Sequence, residues 1–300
     1  MGISSGGGPT RPEAGRNGGM ILRTAGLLSL VCGALHAECS DAGFCRLPAA
    51  APRELPATWR LGVAATTAKG EASEGLTHDA VDLSLGWTPI PAARVTVSVP
   101  WVRNHGRLGR TSGLGDVQAG GELDALVTAQ GTWSLQTGIR LPTGDDAALS
   151  GAGLGYQPGL GSTDLIFGTG WRLAGWQARV GYVASLGGND TPGYELERGD
   201  DLAAAVAYQQ GWRAVTGRLG VVALHRLANS TVAAADGSRS EVADSAGSQV
   251  NLQGGVVWQV DPAVALALDG AKAVLSRPAA AGVDGLTRSW SVGGSLVLSW

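Results

Sequence analysis

Lysine, cysteine and charge of either sign are scarce in this chain. Charged residues make up 16% of its 300 positions, Lys69 and Lys272 are the only lysines, and there are 3 cysteines. No basic run and no basic aromatic patch exists, and the net charge is −3, so the electrostatic footprint of a nucleic-acid binder is missing. Beyond residue 37 there is no stretch of 18 apolar residues, which excludes a bundle of membrane-crossing helices. Helices of any kind are disfavoured, because 48 glycines are scattered through nearly every apolar segment and each costs an interior helical position about 1 kcal/mol. After the leader described below, Cys39 and Cys45 alone remain. Two thiols rule out a metal cluster built from thiolates. No cofactor is expected.

The final residues, TRSWSVGGSLVLSW, show what is present instead. Trp290, Val292, Leu296, Leu298 and Trp300 share one parity, whereas Ser291, Gly293, Ser295 and Ser299 share the other. Side chains alternate faces along a strand, so this is a strand with one greasy face and one polar face. A closed barrel in lipid needs that arrangement, since its outside meets hydrocarbon and its lumen meets water. The ending resembles the last strand of bacterial outer-membrane proteins, whose terminal aromatic residue helps the barrel assembly machinery recognise the chain. That machinery and the outer-membrane lipids are the partners it implies.

The same alternation runs upstream in segments of roughly ten residues, the length of a tilted strand that crosses a bilayer. Twelve such segments start near residues 58, 78, 93, 113, 131, 162, 175, 200, 212, 248, 263 and 287. Short connections at 89–92, 129–130, 174, 209–211 and 260–262 alternate with long ones at 69–77, 104–112, 142–161, 187–199, 226–247 and 276–286. The expected fold is an all-β, antiparallel up-and-down transmembrane barrel over 58–300 in the bacterial outer membrane, with its short turns in the periplasm. On this topology Trp59, Trp87, Trp133, Trp171, Trp176, Trp212, Trp258 and Trp300 form one girdle at the short-turn ends, where an indole suits the headgroup level. Trp101 and Trp290 fall toward the long loops. One irregularity is expected: the parity of Trp212 disagrees with that of Leu219, Val221 and Ala223, which suggests a bulge.

Residues 20–37 combine Arg23, an apolar run and a small residue at Ala37, as a secretory signal peptide does, and the polar Gly-rich stretch before them points to Met20 as the start. Export places Cys39 and Cys45 in an oxidising compartment, where a local disulfide is expected. Residues 38–57 are either a periplasmic leader or a small plug, and their prolines argue against a strand.

The inward parity carries both signs of charge. Arg60, Arg140, Arg172, Arg179 and Arg218 face the same interior as Asp82, Asp116, Glu122, Asp124, Asp164, Asp201 and Asp269. These are the candidate lumen-lining residues, either bracing the wall as ion pairs or forming a charged constriction. Loop 142–161 is the candidate to fold in and narrow the passage. His78, His105 and His225 fall at long-loop ends and are expected to be exposed and unrelated. Asp145–Asp146 and Asp200–Asp201 are expected to be solvated loop acids, and no metal site is expected. GAGLG at 151–155 lacks the strand–turn–helix context of a dinucleotide loop and is expected to be a flexible loop. The histidines are expected in loops, with no Ser–His pair on the outward face, so no catalytic residues are expected.

The segments VSVPWV at 97–102, GLGDVQAGGE at 113–122, GIRLPTGDD at 138–146 and GLGSTDLIFGTGW at 159–171 follow one another in a familiar order. Together they resemble a bacterial family of outer-membrane transporters, the "meta-pathway of phenol degradation" family. The resemblance is strongest over 97–171 and continues as strand rhythm to Trp300. It implies an outer-membrane barrel that passes small, aromatic or hydrophobic solutes, and it supplies no binding residues. A non-conducting structural or adhesion barrel is the alternative, and an outer-membrane enzyme acting on lipid is a third.

Overall fold

The computed structural model describes residues 58–70, 75–189, 194–234, 237–277 and 287–300. The expected signal peptide, the 38–57 segment and the Cys39–Cys45 disulfide lie outside the described residues. The strands are β1 (Trp59–Gly70), β2 (Thr77–Ile90), β3 (Ala93–Gly106), β4 (Gly109–Leu114), β5 (Gln118–Thr128) and β6 (Gly131–Arg140). They continue with β7 (Thr163–Leu173), β8 (Trp176–Leu186), β9 (Gly188–Asn189), β10 (Tyr194–Glu197), β11 (Asp201–Trp212) and β12 (Val215–Arg226). The last are β13 (Thr231–Ala234), β14 (Arg239–Glu241), β15 (Gly247–Asp261), β16 (Val264–Leu275) and β17 (Arg288–Ser299).

Every pairing in the large sheet is antiparallel. The first strand pairs with both β2 and the last strand, β17, and the β2–β3 pairing completes the circuit. Because β4 and β5 pair with the outer and inner halves of β3, they act as one interrupted wall strand. The result is a closed barrel of twelve antiparallel strands. No helix among the described residues is long and apolar enough to cross a membrane. Strand residues alternate as lipid demands: Leu83 is 51% exposed on the outer wall, and its neighbour Asp82, facing in, is 4% exposed.

The turns at one end, 91–92, 129–130, 174–175, 213–214 and 262–263, are two residues each. At Ala174 and Gly175 both φ angles are positive (47° and 88°), the backbone of a turn whose twist matches its hairpin. The long connections all lie at the other end. Two of them contribute β9, β10, β13 and β14 to a separate four-stranded sheet beyond the barrel rim.

Three boundaries differ from the sequence reading. Trp212 is the last residue of β11, and the turn falls at Arg213–Ala214, so the parity conflict marks a strand end rather than a bulge. The 104–112 segment is no open loop, because β3 and β4 extend past the rim and turn tightly at 107–108. The strand expected from 113 therefore begins at Gly109 and is broken at 115–117.

The parity makes a direct test. Leu252 is exposed on the outer wall, and Gln253, its neighbour, is buried against the interior. Leu252→Arg is expected to weaken assembly by about 2–4 kcal/mol, and Gln253→Arg to leave it intact. Equilibrium folding into lipid vesicles measures both, and equal costs would contradict the assigned faces.

Candidate functional site: the charged interior and its folded-in loop

Register places the interior charges in two layers. In the outer layer, just inside the long-loop rim, Arg140 on β6 stands opposite Asp164 on β7, and their side chains are hydrogen-bonded. Asp201 on β11 stands opposite Arg226 on β12, which grips it with Nε at 3.0 Å and Nη2 at 3.1 Å. Between the two pairs β8 supplies Ser185, whose hydroxyl donates to Asp164 Oδ1 at 3.1 Å. Arg198, in the segment between β10 and β11, closes the gap, 3.5 Å from Asp164 and 3.7 Å from Asp201. The five side chains form a buried ladder of alternating sign, Arg140–Asp164–Arg198–Asp201–Arg226. Alternation lets each desolvated charge meet an opposite one, and the three central members meet one on either side, the condition for keeping charges inside a protein. Immediately beneath it lies an apolar cluster on four of these strands, β7, β8, β11 and β12: Ile166, Val183, Ala203, Val222 and Leu224.

The inner layer is nearer the short turns. Arg172 lies 2.7 Å from Asp124 and 3.5 Å from Glu122, and Arg94 stands opposite Glu122 in register. Arg60, Asp82, Arg179 and Arg218 face the interior from β1, β2, β8 and β12, and Asp269 faces it from β16. Between the layers the inner wall is lined by small residues that are partly exposed, among them Ser84, Thr96, Ser98 and Ser295.

Residues 141–162 fold across the mouth. Asp116, in the break between β4 and β5, accepts the Gly144 N–H at 3.0 Å on one carboxylate oxygen and the Leu160 N–H at 2.8 Å on the other. Both ends of the loop are thus fixed to one side chain. Asn104 and Thr111, inward-facing on the extended β3–β4 hairpin, donate to the carbonyls of Gln157 and Tyr156. The Tyr156 hydroxyl accepts the Leu108 N–H at 3.3 Å. Leu76, Ala152 and Tyr156 form a small core with Leu149 packed against it. The loop backbone crosses itself where a Cβ on Gly144 would come within 2.7 Å of Gly159 Cα and 3.0 Å of Gly115 Cα, so only glycine fits.

Several expectations change here. Asp116 anchors the loop and is not a wall charge. The GAGLG segment is not an open loop: it enters a 3-10 turn, Leu154–Tyr156, that is buried. Asp201 is a buried strand residue rather than a solvated loop acid. His78, His105 and His225 lie in strands, not loops. His78 faces inward, 2.7 Å from Asn104 Oδ1. An outward Ser–His pair does exist, with His225 Nδ1 2.9 Å from Ser248 Oγ, although no carboxylate among the described residues reaches that histidine. No group of three or more metal-ligating side chains occurs among the described residues.

Arg198 and Arg226 went unnamed in the sequence reading. Arg226 carries the even, inward parity of Arg218 and was findable from it. Arg198 sits in a segment with no period, and only its place among charges, ERGDD at 197–201, hinted at a partner.

The tryptophans mark the wall's edges. Trp59, Trp87, Trp133, Trp171, Trp176, Trp212, Trp258 and Trp300 all lie at short-turn ends, and Trp101 and Trp290 toward the long loops. Trp59 and Trp87 stack at 5.9 Å, and Trp176 packs on Tyr208 at 5.0 Å.

No known family model matches the chain, and no curated protein matches it in sequence. Among solved structures it is similar to the translocator domain of the autotransporter NalP from Neisseria meningitidis, at 8% identity over 82% of this chain and 90% of that one, with a TM-score of 0.51. It is also similar to the CymD monoaromatic hydrocarbon channel, at 10% identity over 83% of this chain and 90% of that one, with a TM-score of 0.47. A third is the NanC porin, at 9% identity over 80% of this chain and all (100%) of that one, with a TM-score of 0.46. At such identities the likeness is one of fold, that of an outer-membrane β-barrel.

Asp201 is the joint of the ladder, holding two arginines. Asp201→Asn removes the negative charge that two buried guanidinium groups share, leaving Arg198 with Asp164 as its carboxylate, and is expected to cost about 3–5 kcal/mol. Urea unfolding in detergent, followed by tryptophan fluorescence, measures it. A loss under about 1 kcal/mol would mean the ladder is not bracing the wall.

Proposed function

We propose that this chain is a passive outer-membrane channel for small solutes, a conduit rather than a catalyst, gated in width by the 141–162 loop. The observation that carries the reading is the loop's attachment to the inward-facing side of the barrel through Asn104, Thr111 and Asp116. A loop that served only as an exposed adhesive tip would have no reason to be fastened inside the mouth. Below it the partly exposed wall of small residues leaves room for water and solute.

Neutral solutes, aromatic or apolar ones included, are the class this rim favours. The charges of the outer ladder are spent on one another, so they offer an ion little attraction, and breaking them open is costly. A neutral molecule crosses without disturbing them. The adjoining apolar cluster keeps that side of the interior poorly hydrated, and the resemblance to the phenol-pathway transporters points the same way. The barrel assembly machinery is the proposed partner in biogenesis, meeting the exposed Trp300 at the end of the closing strand.

Two measurements test the proposal. In planar bilayers the protein is expected to show small, steady conductance steps, and replacing residues 147–156 by a short Gly-Ser link is expected to enlarge them several-fold. In liposome swelling, phenol-like neutral aromatics are expected to enter faster than benzoate-like anions of similar size. A silent bilayer from both forms would leave a non-conducting barrel, and lipid turnover abolished by Ser248→Ala would favour an enzyme.

A further inference from the structure

The outer wall is not uniform, and its one charged arc sits above a dent. Along β17, β1, β2 and β3 the outward positions fall into rows fixed by register. Gly294, Ala65, Val81 and Trp101 form one row. One step toward the long loops, Val292, Thr67, Asp79 and Arg103 form the next. One step further, Lys272, Trp290, Lys69, Thr77, His105 and Arg110 form a third. The first two rows enclose an open groove of about 490 Å³, floored where Gly294 and Ala65 supply almost no side chain and walled by Val292, Val81 and Trp101. Both lysines of the sequence lie in the third row, opposite the two sides of Trp290. At about 4.8 Å per strand they are roughly 10 Å apart.

We propose that this arc binds a phosphorylated, multi-acyl lipid of the outer leaflet, with an acyl chain in the Ala65–Gly294 groove and its phosphate held by Lys69 and Lys272 across Trp290. This site is on the lipid face, so it does not depend on the channel reading. Charge complementarity selects the occupant. Cations collect on this arc, whereas the corresponding rim on the far side presents Leu141, Leu186 and Leu202. The one acid of the groove, Asp79, is already engaged, accepting the Thr67 hydroxyl at 2.7 Å and lying 3.9 Å from His105. A second copy of this chain fits less well, because among the described residues its outward strand faces offer no acidic patch to meet the cations. Long basic side chains near a membrane surface lay their stems on apolar neighbours and raise their charges to the headgroups, which places the ammonium groups at phosphate height.

The test uses full-length protein folded in uncharged detergent, with native mass spectrometry to count bound lipid. The probes are bis-phosphorylated lipid A, the same lipid with its phosphates removed, and inorganic phosphate. One lipid A per chain is expected, with at least tenfold weaker retention of the dephosphorylated form and no displacement by inorganic phosphate. Lys69→Gln with Lys272→Gln is expected to weaken lipid A retention at least tenfold. Ala65→Leu, which fills the groove and leaves every cation in place, is expected to weaken it too. Gel mobility before and after heating confirms that each variant is a folded barrel. Retention unchanged in the double variant, equal retention of both lipids, displacement by inorganic phosphate, or a dimer in place of a lipid adduct would each overturn the proposal.

Discussion

The structure depends on closure. In hydrocarbon every strand N–H and C=O must find a partner within the protein, because an unmet group costs several kcal/mol and lipid offers none. A sheet satisfies this only if its first strand meets its last. Here the pairing of Trp59–Gly70 with Arg288–Ser299 does so over nearly the full length of both. Once the seam is closed, each strand has two faces in different solvents, and the period-two pattern follows. The interior charges, the loop and the outer groove are all consequences of which face a residue was assigned.

Closure also explains where charge goes. Among the described strand residues the charged outward positions gather on one rim arc, and the interior takes most of the arginines and carboxylates. Those charges organise as pairs. Arg172 bridges Glu122 and Asp124 at one end, and the five-member ladder spans five neighbouring strands, β6 to β12, at the other. The ladder stiffens the rim just where the 141–162 loop must be carried. Asp116 then fixes the loop by both carboxylate oxygens. In the channel proposed above, a braced rim and a pinned loop together set the width of the opening.

The wall was legible in the sequence because lipid imposes a strict alternation on it. Strand starts at 93 and 131 were read at the residue where they fall, and the facing of Asp82, Arg140 and Asp164 followed from parity alone. Where lipid no longer constrains the chain, the reading failed. The stretch NHGRLGRTS looks like loop because both its faces meet polar surroundings, yet it forms the extended β3–β4 hairpin. The order of 141–162 rests on backbone groups, on glycines packed against glycines and on one carboxylate, none of which leaves a period. Arg198 reaches the ladder from an aperiodic segment, so its role appears only when the fold brings β7 and β11 to either side of β8. Trp212 misled because its indole belongs to the girdle at the end of one strand, and a two-residue turn to the next resets parity.

The most direct test of this account is a spin-label scan across the seam in lipid vesicles. Single cysteines would be placed in turn from Leu61 to Thr67 and from Val292 to Leu298, with the native cysteines replaced. Collision with oxygen, which partitions into lipid, should peak at Leu61, Val63, Ala65 and Thr67 and at Val292, Gly294, Leu296 and Leu298. Collision with a water-soluble nickel chelate should peak at the residues between. Accessibility with no two-residue period, or a nickel response at every position, would contradict a barrel closed on itself in lipid.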